Sequence, residues 1–217
     1  MEKLIFPEIP FNELKGVLLD IDNTIYHYES CHKLALNSLL KELSKLLILP
    51  SETIKNEFLK SRKTVNKRLY ETASSHSRFL YIQLTLEKIL GLSDFYNTLK
   101  LEKLYWEKFL EKMQLNEAAS KFIFECNSKN IPICCVTDLT AQIQFRKLLK
   151  LNLENRIKYI VTSEEVGVEK PNKKMFQKAL EKLNLKANQV IMIGDSISKD
   201  IVGAEALGIK SFLVKPT

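Results

Sequence analysis

The chain has 217 residues, 45% hydrophobic and 27% charged, with six glycines and six prolines. That composition excludes collagen-like, disordered and small disulfide-stapled chains, and the length allows one large domain or two small ones. The formal charge of +7 is mostly lysine spread along the chain, without zinc-finger spacing, an arginine-rich tail or an RNA-binding aromatic motif, so a nucleic-acid polymer is not an expected partner. No apolar run approaches the roughly 20 residues of a membrane span, and no signal peptide is read. Cys31, Cys126, Cys134 and Cys135 form no CxxC pair and read as apolar filler of a cytoplasmic protein.

Residues 16–25 read Gly-Val-Leu-Leu-Asp-Ile-Asp-Asn-Thr-Ile. A short apolar run ending in two carboxylates predicts a buried parallel strand over 17–21 whose C-terminal end opens into a site. The pattern then changes: over 29–113 Gly and Pro nearly vanish and apolar residues recur at three and four. That spacing predicts helices over about 29–47, 52–72, 77–90 and 94–113, the second capped by Ser51. Trp106 falls on the periodic face of the last and is expected in its core. Beyond residue 116 the rhythm alternates. Helices are expected over 117–128, 141–150, 173–183 and 199–207, and strands over 131–136, 159–161, 190–193 and 211–214. This is an α/β pattern, a Rossmann-like parallel sheet flanked by helices. The first strand finds neighbours only there, so residues 1–27 and 115–217 should form one core and 28–114 an inserted, mainly α-helical cap.

In open parallel sheets the site lies beyond the C-terminal strand ends. Three expected strands end in polar chemistry there: Asp20-Ile21-Asp22-Asn23-Thr24, Thr137-Asp138 and Gly194-Asp195-Ser196 with Asp200 following. Asp20 and Asp22 alternate along the chain, so both can face the site while Ile21 packs away. Carboxylates converging from separate strands repel unless a cation neutralises them, and oxygen ligands suit Mg²⁺. The Thr137 hydroxyl and the Lys170 ammonium suit the oxygens of a phosphoryl group. Together these groups describe phosphoryl transfer through an aspartyl phosphate.

With those residues in place, the chain resembles the haloacid dehalogenase superfamily, in its phosphatase-like branch with a helical cap inserted after the first motif. Asp20, Asp22 and Thr24 meet the opening Asp-x-Asp-x-Thr; Thr137 meets the second motif; Lys170, before Pro171, is the lysine of the third; Gly194-Asp195 with Asp200, Gly203 and Ala204 meets the fourth. The resemblance implies that Asp20 is the nucleophile and Asp22 the general acid, then base. It implies that the Asp22 carbonyl, Asp20 and Asp195 hold Mg²⁺, with Asp200 the fourth residue of the metal site, orienting a metal-bound water or the lysine. It implies that Thr137 and the following amide bind phosphate oxygens and that Lys170 neutralises nucleophile and phosphate. Thr24 is expected to support the nucleophile loop and stands among the phosphate-binding candidates, and Asn23 is expected to contribute only amides. Asp138 stands among the phosphate-binding candidates. Relatives often carry Asn-Gly after the threonine where this chain has Asp138-Leu139, which puts the shape of that loop in question. Ser196 and Ser198 read as turn residues and Lys199 as solvated.

A small phosphorylated metabolite, sugar phosphate or nucleoside monophosphate, is the expected substrate, because a cap closing over the strand ends would shut out polymers. His76 and Arg78, in the polar segment between the second and third helices, are the cap residues expected to contact it. The stretch around them and the first motif resemble phosphatases of sugar phosphates, acylneuraminate phosphatases included, and pyrimidine nucleotidases. Other chemistry on the same core stays open: a phosphomutase, a phosphonatase, a dehalogenase (which Asp22 argues against), or a binding protein without catalysis. Monomer and homodimer are equally compatible with the sequence.

Overall fold

The computed structural model describes residues 4–216. The described residues divide into two compact units, one within 4–28 and 114–216 and the other 29–113.

The first unit carries a five-stranded parallel sheet in the order β4-β3-β2-β5-β6. Its strands are β2 (Gly16–Leu19), β3 (Ile133–Thr137), β4 (Tyr159–Thr162), β5 (Val190–Gly194) and β6 (Lys210–Leu213). The three central strands are buried along their whole length, which is why they read as continuous apolar runs. The chain moves outward from β2 through β3 to β4, then returns to β5 on the other side of β2. The strand order therefore reverses at β2, and the crevice beyond its C-terminal end is the place where such sheets bind ligands. Helices α5 (Glu117–Ser128), α6 (Ala141–Lys150) and α8 (Lys173–Leu183) form the longer connections, with the single turn α7 (Ser163–Val166) after β4. One core cluster joins Leu18, Cys134, Val136, Met192 and Val161 of the sheet to Met175, Phe176 and Ala179 of α8. A short antiparallel pair, β1 (Leu4–Ile5) with β7 (Lys215–Pro216), lies outside the sequence expectation; two residues per strand leave no periodicity to read.

The fourth motif differs from the expected helix over 199–207. Residues Ile197–Ile201 form a widened π-type turn, followed by α9 (Val202–Glu205). The N–H groups of Asp200 and Ile201 both reach the Ser196 carbonyl, at 2.8 and 3.2 Å. That widening turns the Asp200 carboxylate back onto the Ser196 N–H at 3.0 Å.

The second unit is helical throughout: α1 (starting at Tyr28 and running to Leu47), α2 (Ser51–Arg68), α3 (Arg78–Leu90) and α4 (Phe95–Lys112). Pro50, not Ser51, is the N-cap of α2, and no side chain caps it. The helix stops at Arg68, short of the expected 72, and Glu71 at φ 60° precedes a 3₁₀ turn over Ala73–His76. Ser77 caps α3 by accepting from Leu80 N–H, and Asp94 caps α4 by accepting from Asn97 N–H. Trp106 is buried as expected, edge-on to Tyr105 with ring centroids 5.0 Å apart. The four cysteines are buried free thiols, and burial pushes Cys126 and Cys134 up to about 12. No helix among the described residues is long and apolar enough to cross a membrane.

Gly203 lets α9 approach the core closely: a Cβ there would lie 2.5 Å from the Phe176 ring and 3.0 Å from Pro171 Cα. Gly203→Ala should cost about 1–3 kcal/mol by overpacking, read as a lower midpoint in denaturant unfolding. An unchanged midpoint would contradict this packing.

Candidate active site

The strand ends gather the first group of residues through register. Leu19 pairs with Cys135 on one side and Ile193 on the other, so Asp20, Val136 and Gly194 come level at the end of the sheet. Strand β2 ends at Leu19, two residues before the expected limit, and the Asp20 N–H completes the ladder by donating to the Ile193 carbonyl at 2.9 Å. Lys170 arrives from the connection between α7 and α8. Its ammonium lies 2.6 Å from Asp20 Oδ1, 2.6 Å from Asp200 Oδ1 and 2.9 Å from the Val136 carbonyl. All three side chains are buried. The Thr24 hydroxyl donates to the other Asp20 oxygen at 2.8 Å, so its role is direct support of that carboxylate.

Asp20, Asp195 and Asp200 each offer a carboxylate oxygen, and these oxygens lie within 4.8 Å of one another. The donors are all hard oxygens, without histidine or thiolate, so the cluster fits a hard divalent cation better than zinc. Electrostatics support the same reading. Burial pushes the Asp20 carboxyl up to about 8 against the pull of Lys170, and Asp200 and Asp195 add to the rise. Burial also raises Asp195, to about 6, with Asp200 adding and Lys170 opposing. Lys170 is held well above its ordinary value: burial works against it, but Asp20, Asp200 and Asp138 outweigh that. One ammonium among three carboxylates leaves uncompensated negative charge, which a bound cation would neutralise.

The second strand end is organised differently from the expectation. Thr137, the last residue of β3, accepts from Gln144 Nε2 at 2.8 Å. Asp138 does not present its carboxylate to a phosphate. One oxygen accepts the Lys170 backbone N–H at 3.0 Å, and the other pairs with Lys199 at 2.8 Å. Lys199, expected in solvent, thus helps to anchor the loop that carries Lys170, and lies 3.6 Å from Glu169 as well. Leu139 keeps the turn that a glycine would make easily, at φ 98°. A side chain in that region costs about 1–3 kcal/mol. Ser163 offsets the strain: its Oγ accepts the Leu139 N–H at 2.8 Å. Asn23, at φ 60°, does more than lend amides, since its Oδ1 accepts the Tyr28 N–H at 3.0 Å.

Asp22 lies past the strand in the turn and engages a separate set of partners. Lys147 Nζ of α6 is 2.5 and 2.8 Å from its two oxygens, Tyr26 donates its hydroxyl to one of them, and Gln144 Nε2 is 3.4 Å from the other. Burial alone would raise the Asp22 carboxyl, but Lys147, Tyr26 and Gln144 bring it below the ordinary value. Lys147, Gln144 and Ser163 were not among the residues singled out by the motifs. A signal did exist for Lys147: with Ile143 and Leu151 it forms an i, i+4, i+8 stripe, and a charged residue on an otherwise apolar stripe needs a buried partner. His76 and Arg78 belong to the helical unit. There the Arg78 guanidinium donates to the His76 carbonyl at 2.6 Å and lies over the Trp106 ring, 5.2 Å from its centroid.

The haloacid dehalogenase-like hydrolase family matches residues 14–208. The chain belongs to that family, in its phosphatase branch. Ribulose-1,5-bisphosphate 5-phosphatase of Halopiger xanaduensis is 34% identical over 203 residues, 93% of this chain and 85% of that protein. Glyceraldehyde 3-phosphate phosphatase of Methanothermobacter thermautotrophicus is 26% identical over 209 residues, again 93% and 85%. The crystal structure of the HAD-hydrolase YfnB of Bacillus subtilis, bound to magnesium, has the same fold, with TM-score 0.66, 24% identity and coverage of 91% and 87%.

The raised Asp195 gives a pH test in metal-free protein. A carboxyl held above its unfolded value favours the protonated form in the folded state, so its contribution to stability is full below about 4 and is lost as pH rises through about 6. Asp195→Asn removes that loss. In EDTA, the variant should therefore gain on wild type in urea unfolding as pH rises from about 4 to about 7.5. A stability difference independent of pH would contradict the assignment.

Proposed function

We propose that this phosphatase hydrolyses the phosphomonoester of a small sugar phosphate in two steps through Asp20. The observation that carries the reading is the buried Lys170 ammonium, 2.6 Å from the Asp20 carboxylate, beside three carboxylate oxygens within 4.8 Å of one another. A nucleophile, a neutralising cation and a site for a hard metal are the parts that phosphoryl transfer requires.

In the first step an Asp20 carboxylate oxygen attacks phosphorus, and the bond from phosphorus to the ester oxygen breaks. Thr24 and Lys170 hold the Asp20 oxygens in place, and Thr137 binds phosphate oxygens. Asp22 gives a proton to the departing alkoxide. It starts the cycle as a carboxylate; the negative charge of the arriving phosphate raises its proton affinity, so it takes up one proton from solvent then and returns one to solvent after the second step. In the second step Asp22, again charged, takes a proton from water, and the water oxygen attacks phosphorus and frees Asp20. The residues that would hold Mg²⁺ are Asp20 and Asp195, with the Asp22 carbonyl; Asp200, beside them and bonded to Lys170 and the Ser196 N–H, would orient a metal-bound water and fix the lysine. When bound, Mg²⁺ supplies charge neutralisation between nucleophile and phosphate.

The names of the relatives favour a sugar phosphate over a nucleoside monophosphate, since one acts on ribulose 1,5-bisphosphate and the other on glyceraldehyde 3-phosphate. The test is phosphate release from a panel holding those two compounds, further sugar phosphates and nucleoside monophosphates, with Mg²⁺ or with EDTA. Sugar phosphates should be hydrolysed in Mg²⁺ and not in EDTA. Asp20→Asn should show no turnover, because an amide cannot form the acyl phosphate. Asp22→Asn should lose about 10²–10⁴-fold on alkyl phosphates. Turnover by Asp20→Asn at the wild-type rate, or activity confined to nucleotides, would overturn the corresponding part of the proposal.

A further inference from the structure

Lys147 is a fully buried lysine outside the four motifs. A buried ammonium is costly unless it is closely paired, and here the pair is the carboxylate that the mechanism uses for proton transfer. Lys147 spans both Asp22 oxygens, at 2.5 and 2.8 Å, and its ammonium lies 5.8 and 5.9 Å from the ring centroids of Tyr26 and Tyr28. Gln144, one turn earlier on the same face of α6, donates to Thr137 Oγ1 at 2.8 Å and to the Asp138 carbonyl at 2.7 Å. The same amide nitrogen is 3.4 Å from Asp22 Oδ2. One turn of one helix thus grips the proton-transfer carboxylate and the phosphate-binding strand end together.

We propose that Lys147, assisted by Gln144, is a positioning residue that fixes the Asp22 carboxylate relative to the Thr137 phosphate loop. Phosphate bound at Thr137 then places the ester oxygen, and later the attacking water, at a set position in front of Asp22. Lys147 touches neither substrate nor phosphorus; it acts through Asp22. Without it, Asp22 keeps its chemistry but loses its aim. This role differs from that of a lysine which only stabilises the fold, because it depends on which proton transfer is being asked for. The inference rests on the assignment of Asp22 as the acid–base residue.

The experiment compares Lys147→Met and Lys147→Arg in the wild-type and Asp22→Asn backgrounds, after thermal melts confirm folding. Each protein is assayed with an alkyl phosphate and with p-nitrophenyl phosphate, whose leaving group needs little protonation. Misplacing a reacting group commonly costs about 10²-fold, so Lys147→Met should lose about that on the alkyl phosphate. The initial burst of nitrophenol should stay near wild type, while the steady rate after it falls. Lys147→Arg keeps the charge, folds more readily and should recover part of the alkyl-phosphate rate. In the Asp22→Asn background neither substitution should reduce the rate much further, the non-additivity expected of residues acting as a unit. A nitrophenol burst slowed as much as the alkyl-phosphate rate in whichever variant folds, or the same fold-loss with and without Asp22, would overturn the role of Lys147. If Asp22→Asn is as active as wild type, the acid–base assignment falls and this inference with it. If Asp22→Asn is impaired and both Lys147 variants are not, only the inference falls.

Discussion

The site depends on one buried ammonium. Lys170 holds Asp20 and Asp200 at 2.6 Å each and anchors itself on the Val136 carbonyl. Without it, two buried carboxylates would face each other across the end of the sheet with nothing to compensate them. Much of the local structure serves to deliver that ammonium: Asp138 receives the Lys170 backbone N–H, Lys199 braces Asp138, and the widened turn after β5 aims Asp200. Even so, the charge does not balance. Three acidic groups share one lysine, and the high positions of Asp20 and Asp195 express the remaining deficit. That imbalance suits the cluster to a hard divalent cation, which would neutralise it.

Asp22 lives under the opposite regime. Its carboxylate is oversupplied with donors, from Lys147, Tyr26 and Gln144, and sits below its ordinary value. Two aspartates separated by a single residue are thus pushed in opposite directions by different elements, Asp20 by burial beside other acids and Asp22 by α6. In the metal-free protein this divergence runs opposite to what the proposed roles need, and a cation beside Asp20 and a phosphate arriving beside Asp22 would each move its carboxyl back.

The sheet and its polar ends were legible because parallel strands buried on both faces leave continuous apolar runs, and because Asp20, Thr137 and Asp195 stand at their C-terminal ends. What the sequence hid was pairing at long range. Lys147 lies 125 positions from Asp22 and Lys199 lies 61 from Asp138, and neither spacing has a local signature. Asp138 read as a phosphate ligand because it follows Thr137, yet both of its oxygens are taken by lysine-bearing loops. Leu139 raised a question that only coordinates answer: the positive φ persists without glycine, held by Ser163 from the end of β4. Residues 199–201 of the widened turn were expected as the start of an ordinary helix, because they have no propensity that would distinguish the two.

The central claim is that phosphorus passes through a covalent bond to Asp20. The direct measurement is to mix the Asp22→Asn variant with p-nitrophenyl phosphate and Mg²⁺, quench in acid during the burst, reduce with borohydride and map the modified peptide by mass spectrometry. An acyl phosphate at residue 20 should appear in proportion to the nitrophenol released, as reduction of that one carboxyl. Release of nitrophenol with Asp20 unmodified, or with the label on another residue, would contradict the account.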